Sequence, residues 1–182
     1  LQMINGWVME HNGIFLPEYR VNRYQLILLP HVLLRRKISG IADMLARTCR
    51  LASPKAASPY VKLAEFTFYE RSEEQLVNRM RMIGMGQAPF RVALEGFGGQ
   101  VSHTLYINGG LPLPAERLLQ LLREGMSSLL RQSREISFAD QLRIPVAVNL
   151  THASMEKCRS VLSGKPFRSH FIADGMLLLK QA

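Results

Sequence analysis

Apolar segments of two lengths alternate along this chain, and their order limits the folds that it can adopt. Short runs typical of strands, such as residues 24–29 and 60–66, are separated by longer segments whose apolar residues recur at helical spacing. The order is strand, helix, strand, helix, strand, and the same series follows a second time, with its midpoint near Gly98-Gly99. We therefore expect an α+β protein with a duplicated β-α-β-α-β arrangement, in which two lobes flank a central cleft.

The remaining elements are predicted from local patterns. Alternating apolar residues indicate strands over 90–97 and 101–108, with Gly98-Gly99 forming the turn between them. An unbroken apolar run indicates one last strand over residues 171–179. Ser72 is predicted to cap a helix, with Gln75 completing a capping box and Gly84 and Gly86 ending the helix. Two further helices are predicted from apolar residues at helical spacing, one with Leu34, Ile38, Ile41 and Leu45 and one that begins at Pro112 and has Leu118, Leu121, Leu122, Leu129 and Leu130 on its apolar face. A loop is expected over residues 51–59 and a helix over residues 154–162. The alternation of Ile144, Val146 and Val148 predicts a strand.

The length of 182 residues suits one compact domain, or two small lobes that share a core. Residues 1–23 show no clear period and predict an irregular N-terminal arm. Residues 24–182 are then a single bilobal domain, with one lobe over about 24–98 and the other over about 99–182. Three apolar residues of the arm are expected to pack onto the body: Trp7, Ile14 and Phe15.

Charge and hydropathy exclude several classes of protein. With 23 Lys and Arg against 14 Asp and Glu, the net charge is +9, which favours a polyanionic partner. A hydrophobic share of 47% excludes intrinsic disorder. The longest apolar stretch, residues 26–34, is interrupted by Pro30 and His31 and is too short to span a bilayer. Two cysteines are too few for a disulfide framework, and no signal-peptide pattern is present, so we expect a cytoplasmic protein without a membrane partner.

The strand around Lys62 resembles a motif of the 2H phosphoesterase superfamily, which includes the 2′-5′ RNA ligase-like proteins. Its sequence is Pro59-Tyr60-Val61-Lys62-Leu63-Ala64-Glu65-Phe66, where the family has Pro-His-x-Thr-Leu-Ala-x-Phe. Four flanking segments also resemble the family. Residues 24–30 resemble its opening strand, and residues 97–107 resemble the hairpin between its lobes. Residues 143–150 resemble its second motif strand, and residues 171–180 resemble its closing strand. The resemblance covers about residues 24–181 and implies a 2H phosphoesterase-like fold.

In that family each motif His serves as acid or base on a 2′,3′-cyclic phosphate, and each Thr holds a phosphate oxygen. Carried over position by position, Tyr60 and Lys62 stand at the first His and Thr, and Arg143 and Pro145 at the second. A shifted second register would instead leave Val146 and Val148 at the motif positions. The first register keeps Ile144, Val146 and Val148 together on the core face. Neither register restores a His.

The substituted residues are poorly suited to the family's reaction. Tyrosine, with an ordinary pKa of about 10, is a weak base at neutral pH, and arginine cannot act as a base. Lys62 would do so only if desolvation lowered its pKa. On strand alternation, Tyr60, Lys62 and Ala64 share one face, and Val61 and Leu63 share the buried face. The resemblance thus implies a degenerate member that lacks the family's cyclic phosphodiesterase activity.

Three functions remain open at the level of sequence. In the first, Lys62 and Arg143 clamp the phosphate of a nucleotide or RNA end in the cleft, and Tyr60 stacks on a base. In the second, an active RNA phosphodiesterase or ligase uses His103 or His170. In the third, the chain is an interaction scaffold without a small ligand, acting through an apolar patch near its N-terminal arm. The histidines lack the spacing of a metal site, so we expect neither a metal nor another cofactor. Drift of a lost active site would leave the same substitutions.

Overall fold

The computed structural model shows an α+β structure built on antiparallel sheets. It describes residues 2–4, 7–10, 13–15, 20–51, 59–100, 103–129, 131 and 135–181. The first three strands pair with one another in a small antiparallel sheet: β1 (Gln2–Ile4), β2 (Trp7–Glu10) and β3 (Gly13–Phe15). These three segments are therefore strands and not irregular as expected, whereas the assignment of residues 1–23 to an N-terminal arm stays a prediction. The expected packing of Trp7, Ile14 and Phe15 concerns side chains outside the described part of the structure.

The rest of the described chain follows the predicted alternation closely in its first half and has two more strands than predicted in its second. The elements in order are β4 (Val21–Leu28), α1 (Val32–Cys49), β5 (Val61–Tyr69), a 3₁₀ turn (Glu70–Ser72), α2 (Glu73–Met85), β6 (Phe90–Gln100), β7 (Thr104–Gly109), α3 (Leu113–Met126), β8 (Ile136–Phe138), β9 (Leu142–Ala147), α4 (His152–Leu162), β10 (Arg168–Ala173) and β11 (Leu177–Gln181). Most of the predicted loop at 51–59, and Leu130, lie outside the described residues.

Two four-stranded antiparallel sheets form the body. Sheet I has the strand order β11-β4-β5-β8, and sheet II has the order β10-β6-β7-β9. Sheet I joins strands from distant parts of the chain, since Leu177 of β11 pairs with Ile27 of β4. Both sheets thus draw strands from both sides of the predicted lobe boundary at residues 98 and 99. The assignment of residues 24–182 to one bilobal domain stays a prediction.

The predicted strand over residues 171–179 is two strands that belong to different sheets. β10 pairs with β6 in sheet II, and β11 pairs with β4 in sheet I. Asp174 and Gly175 are exposed at the break, where the chain passes from one sheet to the other. Lys180 then anchors β11, because its amino group bonds to Glu70 at 2.8 Å and to Glu73 at 2.7 Å.

The two glycines expected to form a turn lie inside a strand instead. Gly98 pairs with Tyr106, and Gly99 pairs with Leu105, so that β6 continues to Gln100. Glycine is suited to both positions because a side chain there would contact neighbouring residues. A Cβ at Gly98 would lie 2.6 Å from Asn108 Oδ1, and one at Gly99 would lie 3.0 Å from Met155 Sδ.

The four helices of the described residues form two pairs, and each pair packs on one sheet. α2 and α3 pack together on sheet I, where the Tyr24 hydroxyl donates to Glu73 at 2.9 Å and Arg123 lies over the Phe138 ring. α1 and α4 pack together on sheet II, and α1 contacts β9 directly. Cys49 of α1 and Cys158 of α4 are both buried between these helices. Burial, and the hydrogen bond and charge of the neighbouring Cys49, raise the pKa of the Cys158 thiol to about 12.

Helix faces and ends agree with the sequence in part. Leu34, Ile38 and Leu45 are buried on α1, as their spacing predicts. α2 continues through Gly84 to Met85 and has Gly86 at its C-cap, so only the second of the two glycines ends it as expected. Ser72 is itself part of the 3₁₀ turn and makes no side-chain capping bond. On α3, Leu118 and Leu122 are buried, whereas Leu121 is exposed. None of the described helices is long and apolar enough to cross a bilayer.

The close approach of β7 and β9 gives a test of this packing. A Cβ at Gly109 would lie 2.5 Å from the Leu142 carbonyl oxygen, a backbone atom that cannot turn away, whereas a Cβ at Gly110 meets nothing within 4 Å. We expect Gly109→Ala to lower the free energy of unfolding by about 1–3 kcal/mol. Gly110→Ala serves as the matched control, and urea denaturation measures both. Equal stability of the two variants would contradict the described β7–β9 pairing.

Candidate functional site

The two sheets meet where the chain passes from β8 to β9. Ala139 lies just after β8, and its N–H donates to the Leu63 carbonyl at 2.8 Å. β9 begins three residues later, and β5 and β9 contact each other. Arg143 follows Ala139 by four residues, so its Cα lies within about 14 Å of the Ala139 Cα. We call this region, residues 61–63 of β5 and 142–144 of β9, the sheet junction.

Strand alternation at the sheet junction turns charged side chains away from the core. Val61 and Leu63 are fully buried on either side of exposed Lys62, as the sequence predicts. Leu142 and Ile144 are likewise fully buried on either side of Arg143, which is half-buried like Pro145. Both motif-equivalent cations therefore lie on the outer side of their strands.

One prediction about β5 is wrong. Ala64 was expected on the face of Lys62, but it is buried. The register between β4 and β5 shifts between Leu26 and Ile27, which pair with Ala64 and Lys62, so a bulge at Leu63 reverses the alternation. Glu65 takes the place beside Lys62 as a result.

Glu65 is the centre of the charges around Lys62. Its carboxylate accepts a hydrogen bond from the Lys62 amino group and forms a second ion pair with Arg23 on β4. Burial acts to raise the pKa of Glu65, but the hydrogen bond and charge of Lys62, the Gln25 side chain and the charge of Arg23 together lower it. The carboxylate is thus held ionised between two cations.

Tyr60 joins the same network through Gln25. Its hydroxyl donates to Gln25 Oε1 at 2.8 Å, and the Gln25 side chain is in turn hydrogen-bonded to Glu65. The hydrogen-bonded chain fixes the Tyr60 ring at the edge of the group formed by Arg23, Lys62 and Glu65. Sequence reasoning missed Arg23, Gln25 and Glu65. Alternation on β4 could have placed Arg23 and Gln25 on one face, but their pairing with β5 is a property of the sheet.

On sheet II, Arg143 of β9 is held between the side chain of Gln141, just before the strand, and an aromatic ring. Its Nε donates to Gln141 Oε1 at 3.1 Å, and its guanidinium carbon lies 5.7 Å from the centre of the Tyr106 ring. Tyr106 pairs with Pro145 across the β7–β9 ladder. Tyr106 was also missed by the sequence analysis, although its alternation with buried Leu105 and Ile107 indicated an outward position.

His103 and His170, the two histidines proposed for an active enzyme, lie away from Arg143. His170 is on β10, at the edge of sheet II opposite β9, and three strand spacings of about 4.8 Å put it about 14 Å from that strand. His103 lies in the turn before β7 with a φ of 56°, five residues from Asn108, which pairs with Arg143. That distance along a strand is about 17 Å. Neither of the two histidines proposed for an active enzyme therefore lies beside Arg143.

Chemically, the sheet junction offers positive charge and hydrogen-bond donors. Lys62 and Arg143, together with Arg23 on the adjoining strand β4, are donors that suit an anion, and Glu65 offsets one of their charges. In the part of the chain that the structure describes, no group of three or more His, Cys, Asp or Glu side chains is arranged to hold a metal ion. When compared with known proteins, the sequence matches no family model and no curated protein.

The shared carboxylate predicts a pH dependence of stability. Because the pKa of Glu65 is lowered in the folded protein, its ionised form stabilises the fold at neutral pH. We expect Glu65→Gln to be less stable than wild type by about 1 kcal/mol at pH 7. This difference should disappear as the pH falls from about 4.5, the ordinary value, through the lower pKa of the folded state. Urea denaturation between pH 3 and 7 measures it, and a difference that does not vary with pH would contradict the ion pairs.

Proposed function

We propose that this chain is a catalytically degenerate 2H phosphoesterase-like protein that binds the phosphate of a nucleotide or RNA end at the sheet junction. The observation that carries the proposal is the contact of β5 with β9, each of which presents a cation at a motif-equivalent position. The attachment of a helix pair to each four-stranded sheet supports the two-lobed architecture that the resemblance implies. Lys62 and Arg143 then approach the ligand from separate sheets.

The electrostatics of the sheet junction favour a phosphate over a neutral ligand. Arg23, Lys62 and Glu65 together carry a net charge of +1, and Arg143 adds another positive charge from the second sheet. Guanidinium groups bind phosphate oxygens in a bidentate manner, and Arg143 is already oriented by Gln141 and Tyr106. Tyr60, held by Gln25, offers a ring on which a base stacks.

The same residues do not support hydrolysis. Opening a 2′,3′-cyclic phosphate needs a base that activates water and an acid that protonates the leaving oxygen, and each such group contributes about 10²–10⁴ in rate. The cations at the sheet junction stabilise negative charge, but ammonium and guanidinium groups accept no proton at neutral pH. Binding without turnover is therefore the activity that these side chains support.

Titration with a short RNA that ends in a 2′,3′-cyclic phosphate tests the proposal. We expect saturable binding to wild type, and at least about tenfold weaker binding to Lys62→Ala/Arg143→Ala, because each charge-assisted bond is worth about 1.5–3 kcal/mol. Arg79→Ala/Arg117→Ala removes two exposed cations from α2 and α3 and is the matched control. Equal affinity of the two double variants would overturn the proposal. So would RNA product formed at high protein concentration, which would instead favour an enzyme.

Removing the Glu65 carboxylate beside Lys62 should raise the affinity for the RNA rather than lower it. Glu65→Gln removes a negative charge close to both cations, and one charge at about 4 Å in water is worth about 1 kcal/mol. We expect this variant to bind the phosphate-terminated RNA about fivefold more tightly than wild type. Glu74→Gln, an exposed substitution on α2, should leave the affinity unchanged. Weaker binding by Glu65→Gln would indicate that the phosphate does not contact Lys62 or Arg23.

A further inference from the structure

Positive charge is distributed very unequally between the two helix pairs. Residues 31–51 and 151–166, which contain α1 and α4, have only two acidic residues, Asp43 and Glu156. Residues 70–87 and 112–129, which contain α2 and α3, have five basic and five acidic residues. The α1–α4 side therefore carries a net charge of +6, and the α2–α3 side carries none. The eight basic residues on the α1–α4 side are Arg35, Arg36, Lys37, Arg47, Arg50, Lys157, Arg159 and Lys165.

Within the described residues, most of these cations have no carboxylate partner. Seven of the eight are exposed, Arg35 being half-buried, and within the described residues only Arg159 forms an ion pair, with Glu156 at 3.2 Å. On the sheets the situation differs, since Arg23, Lys62, Arg168 and Lys180 all have acidic partners. Unneutralised charge close together destabilises a fold unless a counter-charge binds, so this side suits a polyanion.

A groove lies on the same side of the molecule. It has a volume of about 660 Å³ and runs between residues 96–99 of β6 and residues 162–166 at the C-terminal end of α4 and just beyond it. Glycines at 96, 98 and 99 leave its β6 wall almost free of side chains, while Arg159 and Lys165 line it with charge. The guanidinium of Arg159 also donates to the Gly99 carbonyl at 3.1 Å, which ties α4 to this wall.

The groove is continuous with the basic helices. Phe97 in the groove packs against Phe167, and the Lys37 amino group of α1 lies 4.9 Å above the centre of the Phe167 ring. The C-terminal end of α4 would repel an anion through its helix dipole. Arg159 in the last turn and Lys165 just beyond it offset that effect. A negatively charged chain can thus follow the groove and continue along α1.

We infer that the α1–α4 side and its groove form a docking surface for the phosphodiester backbone of a single-stranded nucleic acid. A membrane is less well matched, because an interfacial helix inserts its apolar face, and the apolar face of α1 (Leu34, Ile38, Leu45) is buried in the core. The volume of the groove is in the range of small-ligand sites and accepts an unpaired nucleotide. This surface is separate from the sheet junction and does not depend on the proposed phosphate site there.

Salt-dependent binding of a single-stranded RNA of about 12 nucleotides tests this inference. Both ends of the RNA carry hydroxyl groups, so that the terminal-phosphate site is not engaged. We expect Arg36→Gln/Arg47→Gln/Lys165→Gln to bind about tenfold or more weakly at low salt. The slope of log affinity against log salt should fall by about 2, since each single-strand phosphate contact contributes about 0.7. Arg79→Gln/Arg81→Gln/Arg117→Gln removes the same charge from α2 and α3, and should bind within twofold of wild type.

Several results would overturn the inference. Equal losses in the two triple variants would mean that the +9 charge acts diffusely, and a loss confined to Lys62→Ala/Arg143→Ala would place all RNA binding at the sheet junction. Binding to phosphatidylserine vesicles without binding to RNA would identify a membrane surface instead. A DNA strand of the same sequence should bind equally, since a strict RNA preference contradicts recognition of the backbone. If the triple variant fails to fold, Lys165→Gln alone should still reduce the slope by about 0.7.

Discussion

The contact between β5 and β9 is the constraint on which the rest of the structure depends. Val61 and Leu63 of β5 and Leu142 and Ile144 of β9 are all fully buried, and burying such a side chain contributes about 1.5–3 kcal/mol. Because side chains alternate along a strand, the same burial forces Lys62 and Arg143 outward from neighbouring strands of two sheets. The hydrophobic core thus sets the positions of the charged residues.

Sequence patterns predicted elements better than they predicted partners. The amphipathic face of α1, the alternation at Ile144 and Val146 and the exposure of Lys62 follow from local periodicity, and each is present in the structure. Sequence patterns failed to predict an element where its structure depends on the neighbouring strand or helix. The pair Gly98-Gly99 is typical of a turn in sequence, but in the structure both residues lie in a strand. Glycine suits these positions because a Cβ there would lie against the side chains of Asn108 and Met155.

The candidate site shows the same division. Lys62 and Arg143 were identifiable as outward residues, whereas the bulge at Leu63 that brings Glu65 beside Lys62 arises from the pairing of β4 with β5. Arg23 and Gln25 reach the site only through that pairing. β8 was missed because three residues are too few to show a period, although it carries the chain to the sheet junction. The alternation of residues along one strand does not show which residues of the neighbouring strand will contact them, so contacts of this kind could not be predicted from the sequence.

The position of β11 has a consequence for how this protein reaches its native state. Leu177 pairs with Ile27, so sheet I is complete only when segments 150 positions apart have found each other. Contacts of such high sequence separation carry a large loop-closure entropy and slow folding. During synthesis, β4 and β5 are made long before β8 and β11, and until then they present open strand edges. A nascent chain of this kind is exposed to association with other chains, so a chaperone is of most use to it before the last strand is made.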